Sequence, residues 1–196
     1  RLAAFQEIEP DVDVRLSADN RLVDLAREDI DLALRYIAPE AAPPGASLLF
    51  EEVVFPVAAP KLAARLPAVL KAEDLARLTL LAYDDGRKAP WLTWEPWLIG
   101  LGLAQARPKA VLAFNQYDQL IRAAVDGRGI ALGRGPLVAQ LIAERKLRPL
   151  GQSRQRIAAR AYFLVRARRA ARPEADRFAD WLLAEAKKTE RASGAS

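Results

Sequence analysis

Apolar and polar positions switch between two periods along this chain. Leu2, Phe5 and Ile8 fall three apart, which predicts one face of a short helix closed by Pro10. Asp11 to Leu16 (DVDVRL) alternates strictly and predicts a half-buried strand. Ser17, Asp19 and Asn20 form a predicted turn. Asp19 or Asn20 would cap a short helix carrying Leu22, Val23, Leu25 and Ala26. Ile30 to Tyr36 (IDLALRY) is the next predicted strand. An α-β-α-β order with tight connections argues for a parallel sheet.

Ala38 to Ser47 reads as a loop, because Pro39, Pro43, Pro44 and Gly45 punctuate it. Leu48 to Ala58 (LLFEEVVFPVA) is β-rich and long for one strand. Pro56 should bend it or place it on an edge, and the run reads as a strand leaving one lobe for another. Short helices follow from Pro60 and over Ala72 to Leu78. Thr79 to Tyr83 is a strand ending in the turn Asp84-Asp85-Gly86. Trp91, Trp94 and Trp97 keep a spacing of three, as a helix or as a loop packed by its own indoles, with core packing as their main role. Pro136 to Arg145 predicts an amphipathic helix and Leu147 to Leu150 a short strand. Ile157 to Val165 is a second long β run, suited to carry the chain back to the first lobe. Pro173 to Lys187 predicts a helix with Phe178, Trp181, Leu182 and Ala186 on one face. Glu190 to Ser196 reads as a polar, frayed tail.

The stretch that organises these pieces is KAVLAFNQYDQLIRAAVDGRGIALGR, from Lys109 to Arg134. It reads strand, turn, helix, turn, strand. Lys109 to Phe114 suits a short buried strand. Asn115 would cap the helix, and Asp118 would favour its N-terminus. Leu120, Ile121, Ala124 and Val125 share one helical face, and Gly127 stops it. Ile130-Ala131-Leu132 is the second strand, ending at Gly133-Arg134. In open α/β sheets ligands bind beyond the carboxyl ends of the strands. That edge would carry Asn115, Gln116, Tyr117, Gly133 and Arg134: helix-start N–H groups, amides, a phenol and a guanidinium, suited to a small polar or anionic molecule. The same residues also fit a polar turn of an ordinary βαβ unit.

Composition narrows the chemistry. The chain has 196 residues, 52% hydrophobic and 28% charged, which fits one large folded domain or two small lobes. No run is long and apolar enough to span a bilayer, and no secretory signal is visible at the start. Cysteine and histidine are both zero, which removes the usual zinc sites, the Ser-His-Asp triad and the Cys-His dyad from this chain. No metal site, cofactor or catalytic residue is expected. The net charge is +5 and the isoelectric point about 9.7. The excess lies late, in Arg154, Arg156, Arg160, Arg166, Arg168, Arg169 and Arg172. No base-stacking aromatics interleave with these arginines in the manner of a nucleic-acid surface, so a solvated basic face is the favoured reading. Adjacent Glu51 and Glu52 would point to opposite faces of a strand and cannot act as a catalytic pair.

Several stretches in this order resemble the effector-binding (regulatory) domain of LysR-type transcriptional regulators, in the branch that holds the glycine-cleavage activator. They are FQEIEPDVDVRL, RLVDLAREDIDLALRY, FPVAAPKLA, LKAEDLARLTLL, FNQYDQLIRAAVDGRGIALGR and FADWLLAEA. The resemblance covers nearly the whole chain and implies an α/β, periplasmic-binding-protein-like fold of type 2. Two Rossmann-like lobes would be joined by two crossover strands: residues 1–58 with 160–196 as lobe I, 59–159 as lobe II. It further implies a small effector, anionic or amino-acid-like, in the cleft between lobes. Ser17, Asp19, Tyr36, Tyr83, Asn115, Gln116, Tyr117, Gly133 and Arg134 would line that cleft, with Tyr36 and Tyr83 equally readable as lobe-edge aromatics. A homodimer or homotetramer in the cytoplasm, promoter DNA bound through an N-terminal winged helix-turn-helix outside this chain, and no membrane contact complete the implied picture. The chain opens at Arg1 inside the first helix, so a preceding strand and its polar turn are expected upstream. The competing reading is a solute-binding protein of a transport system. A two-lobed enzyme of pyrrole synthesis would need a cofactor-bearing cysteine, which the chain lacks.

Overall fold

The computed structural model describes residues 2–18, 21, 23–84, 86, 92–151, 155–167 and 172–194. The chain forms two compact units. Unit 1 holds residues 1–51 and 158–196, and unit 2 holds 52–157.

Unit 1 contains α1 (Leu2–Ile8), β1 (Leu32–Ile37), the start of β2 (Ser47–Ala58), most of β7 (Gln155–Arg166) and α7 (Pro173–Gly194). Strand β1 runs antiparallel to β7, from Leu32 opposite Arg166 to Ile37 opposite Ala161. The parallel arrangement expected for the opening strands is therefore replaced by an antiparallel pair made with the far end of the chain. Asp11 to Leu16 is not a strand either. Residues 12–18 take no regular element, and Leu16 is 67% exposed. Alternation suits a strand only where a neighbour completes the ladder, and no described strand pairs with this segment. The helix expected around Leu22 to Ala26 is instead a turn, with Asp24 Oδ1 accepting the N–H groups of Ala26 and Arg27 at 3.1 and 3.3 Å. Four apolar positions are too few to sustain a helix alone. Asp19, Asn20 and Leu22 lie outside the described residues.

The unit 1 core is small. Leu49, Leu164, Ala179 and Ala186 form its buried cluster. Phe5, the buried residue of α1, meets Phe178 edge-on at 4.8 Å and Trp181 at 5.3 Å. Helix α7 runs on to Gly194, so the polar tail is helical almost to its end. Two of the late arginines, Arg166 and Arg172, and the following Arg177 lie beside acids. Arg166 bonds Asp176 and Asp180, Arg172 lies near Asp29 and Asp31, and Arg177 bonds Glu9. Arg154, Arg168 and Arg169 lie outside the described residues.

Unit 2 contains the rest of β2, then α2 (Pro60–Ala63), α3 (Ala72–Leu75), β3 (Thr79–Tyr83), α4 (Trp94–Gly100), β4 (Ala110–Phe114), α5 (Tyr117–Val125), β5 (Ile130–Arg134), α6 (Gly135–Ala143) and β6 (Arg148–Pro149). Its strands hydrogen-bond in the order β2-β5-β3-β4, with β6 also on β2. β3 is parallel to both β4 and β5, and β2 is antiparallel to β5 and β6. The connection β4-α5-β5 therefore crosses over β3. β2 runs as one continuous strand through Pro56, which sits opposite Leu132 and accepts from the Leu150 N–H at 2.9 Å.

One large apolar cluster fills unit 2, including Val54, Val57, Leu80, Leu81, Trp97, Leu120, Ile130 and Leu132. Trp94 belongs to the same cluster and donates its indole N–H to the Leu81 carbonyl at 2.9 Å. Trp91 lies outside the described residues. Strand β5 is buried throughout. β4 is not the buried strand that its apolar residues suggest: it pairs with β3 alone, and Val111 and Leu112 are 56% and 46% exposed. Among the described residues no helix is long and apolar enough to cross a membrane.

Candidate ligand site

The carboxyl ends of β3, β4 and β5 lie along one edge of unit 2, because the three strands are parallel. The edge is built around Tyr117. β3 and β5 pair only over Leu80–Leu81 and Ile130–Ala131. Further on, β5 finds its hydrogen bonds elsewhere. The Tyr117 hydroxyl accepts the Arg134 N–H at 2.7 Å and donates to the Leu132 carbonyl at 3.2 Å. A side chain from α5 thus satisfies backbone groups that a neighbouring strand would otherwise hold. Burial pushes this hydroxyl well above the ordinary tyrosine range, outweighing the Arg134 backbone bond that lowers it. Tyr117 is therefore a neutral structural bridge.

Two further groups pack on the ring. The Tyr83 ring, at the end of β3, meets it edge-on at 5.9 Å. The Arg134 guanidinium lies 5.5 Å from its centroid. Arg134 in turn donates Nε to Glu52 Oε2 at 2.8 Å, and Glu52 is fully buried on β2. A charge pair in this setting is held by geometry and charge-assisted hydrogen bonds. The guanidinium read as an anion ligand is therefore already offset by a carboxylate. Gly133 is required beside it: a Cβ there would stand 2.8 Å from Val57 Cγ1 and 3.2 Å from Val138 Cγ2.

Asn115 and Gln116 form the exposed lip of this edge. Helix α5 begins at Tyr117, one residue later than an Asn115 cap requires. Gln116 is the N-cap residue and no side chain caps the helix. Neither amide head bonds another described residue, so both remain available to a ligand. The far end of α5 is closed by Gly127 at φ 73°, with Arg128 N–H to Ala123 O and Gly127 N–H to Ala124 O, both at 3.0 Å. Asp84, after β3, is exposed. Its N–H donates to the Phe114 carbonyl at 2.8 Å, and its Oδ1 accepts from Gly86 at 3.1 Å, as a turn residue does.

The remaining predicted residues belong to unit 1. Tyr36 on β1 meets the Tyr162 ring at a tilt, with centroids 4.8 Å apart, and the Arg160 guanidinium lies 5.7 Å from the Tyr36 ring centroid. Ser17 is exposed in the irregular segment, and Asp19 lies outside the described residues. Sequence reasoning missed Glu52 as a site residue. The signal was its place on the same strand face as Val54 and Pro56, where a carboxylate needs a partner.

Residues 1–187 match the family described as LysR substrate binding domain. The chain is 32% identical over 152 residues to the HTH-type transcriptional activator AmpR of Rhodobacter capsulatus, covering 77% of this chain and 50% of that protein. It is 29% identical over 147 residues to the glycine cleavage system transcriptional activator of Escherichia coli K12, covering 75% and 47%. The chain thus spans about half the length of these curated relatives. The effector domain of the transcriptional regulator AmpR of Pseudomonas aeruginosa superposes with a TM-score of 0.67 at 29% identity, covering 97% of this chain and 89% of that one. The fold is accordingly the α/β, type 2 periplasmic-binding-protein-like fold of these domains, and the chain belongs to the LysR substrate-binding domain family.

Proposed function

We propose that the carboxyl edge of unit 2 is the effector-contacting surface of a LysR-type regulator, with Asn115 and Gln116 as its specificity residues. The observation that carries this reading is the contrast within the edge. Two exposed amides stand on a turn whose neighbours, Tyr117, Arg134 and Glu52, are immobilised by buried bonds. A rigid frame under adaptable polar heads lowers the ordering cost of binding. The amides, beside a guanidinium whose charge Glu52 offsets, favour an amino acid or amide over a bare anion. Ser17 and Tyr36 of unit 1 are proposed as further contacts on the strength of the family resemblance.

In the whole protein this domain would report effector binding to a DNA-binding segment, a coupling between two sites. Promoter DNA, a cytoplasmic setting and self-association into dimers or tetramers belong to that reading, and no catalytic step does. The exposed apolar edge of β4 supports self-association. The matched relatives are transcriptional activators, which weighs against the transport reading.

A thermal-shift panel of amino acids, amides, small carboxylates and aromatic acids tests it. A ligand that binds only the folded state raises Tm by mass action. An amino acid or amide hit that Asn115→Ala abolishes would support the assignment. A hit indifferent to Asn115 and Gln116 would move the site elsewhere.

A further inference from the structure

Strand β2 enters unit 2 at Glu52, directly after unit 1 ends at Glu51. Its ladder with β5 begins at Val54, opposite Arg134, and runs to Val57, opposite Ala131. Glu52 therefore lies outside that ladder, between the unit boundary and the first residue paired with β5. It shares a strand face with Val54. The Arg134 side chain reaches back along β2 and donates Nε to Glu52 Oε2 at 2.8 Å. A fully buried carboxylate is thus tied to the end of β5 at the point where the chain changes units.

The other end of this tie is α5. The Arg134 N–H donates to the Tyr117 hydroxyl at 2.7 Å, and Tyr117 is the first residue of α5. Gln116 precedes it, and no side chain caps the helix. The first turn of α5 is therefore positioned through Tyr117, whose ring also packs on Tyr83. Through Arg134, bonds made away from water join the Asn115–Gln116 turn to the unit boundary. Buried polar networks of this kind act as more than the sum of their pairs. We propose that Tyr117, Arg134 and Glu52 form a latch that couples the first turn of α5 to the crossover strand. Tyr117 and Arg134 are its positioning residues, and Glu52 is the residue they hold. A ligand seated on Asn115 and Gln116 orders the neighbour of Tyr117, tightens the latch and restrains β2 where it leaves unit 2. That regulatory meaning rests on the effector surface proposed above, whereas the latch itself is a property of the ligand-free chain. Coupling is reciprocal, so loosening Glu52 also loosens the α5 turn.

The test is NMR relaxation dispersion on the full chain without ligand, which reads microsecond-to-millisecond opening within the native state. In Tyr117→Phe, which keeps the ring, the open state at residues 52–55 should be at least about fivefold more populated than in the parent chain. Leu80 and Leu81, in the core of β3, should show no such change. Glu52→Gln, which keeps the shape of the side chain and removes its charge, should produce the same rise at residues 116–119. Arg134→Lys, which keeps the charge and loses the guanidinium fork, should produce both. Dispersion that rises alike at residues 52–55 and at Leu80 and Leu81 would mean a purely structural role and overturn the latch. So would a rise confined to the neighbours of each substituted side chain. These arms use no ligand: a failed thermal-shift panel strikes the effector surface alone, and absent coupling beside a panel hit strikes the latch alone.

Discussion

Two arginines show how differently the units are held. Arg134, at the end of β5 in unit 2, is buried against the fully buried Glu52 and lies against Tyr117. Arg166, at the end of β7 in unit 1, bonds Asp176 and Asp180 at 3.3 Å each, with side chains 34%, 48% and 74% exposed. Exposed pairs are screened by water and salt and contribute little. A buried pair is expensive to form and more expensive to break. Unit 2 also carries the large apolar cluster, while unit 1 has a small one supplemented by aromatics and surface ion pairs. The buried network sits under the proposed ligand surface, so the part meant to contact a ligand stands on the stiffer frame.

The same substitution in the two units tests that contrast most sharply. Arg134→Met should cost about 3–5 kcal/mol, because it leaves the Glu52 carboxylate buried without its cation. Arg166→Met should cost below about 1 kcal/mol, shrinking further with added salt. Urea unfolding of both variants at low and high ionic strength gives the comparison, and equal losses would break it.

Gly133→Ala comes next. The added methyl collides with Val57 and Val138, both β-branched and fully buried, so a loss of about 1–3 kcal/mol is expected by the same measurement.

Tyr117→Phe is of similar size, about 1–3 kcal/mol, since it removes one hydroxyl that serves two backbone groups. Its signature is pH dependence. The folded hydroxyl holds its proton above the value of an unfolded tyrosine, because burial disfavours the charged form. The stability tied to that proton is full below about pH 10 and is lost as pH rises through the folded value. The gap between the parent chain and Tyr117→Phe should therefore be constant near neutrality and narrow above about pH 10. A gap that does not change with pH would mean the hydroxyl is not buried as described.

The smallest effect concerns Glu144. Hydrogen bonds from Lys146 and Gln140 hold its carboxyl below the ordinary range. Its contribution is present above the unfolded value and fades as pH falls through the folded one. Glu144→Gln should slightly lower Tm at neutral pH and leave the acid end unchanged, which flattens the acid limb of the Tm profile.

Much of unit 2 is legible in the sequence, because its elements carry long, consistent patterns. The apolar run of β5, the apolar face of α5 and the stop at Gly127 each point to one structure. Unit 1 is harder. Asp11 to Leu16 has a strand's alternation without a strand's partner, and β1 pairs with a segment more than 120 residues away. β4 misleads for the opposite reason: its residues are apolar, yet its place at the sheet edge leaves them exposed. The site divides in the same way. Asn115, Gln116 and Tyr117 announce themselves at a strand–helix turn. The partnership of Glu52 with Arg134 spans 82 positions, and nothing local in either stretch names the other.

The most direct test is a calorimetric titration of the parent chain and Gln116→Ala with the strongest binder from the amino acid and amide panel, beside the Tm of both proteins. Gln116 is exposed and caps α5 only through its backbone. We expect Gln116→Ala to bind at least about tenfold more weakly with Tm essentially unchanged. A fall in Tm with undiminished binding would contradict the assignment, and would make this edge a structural turn.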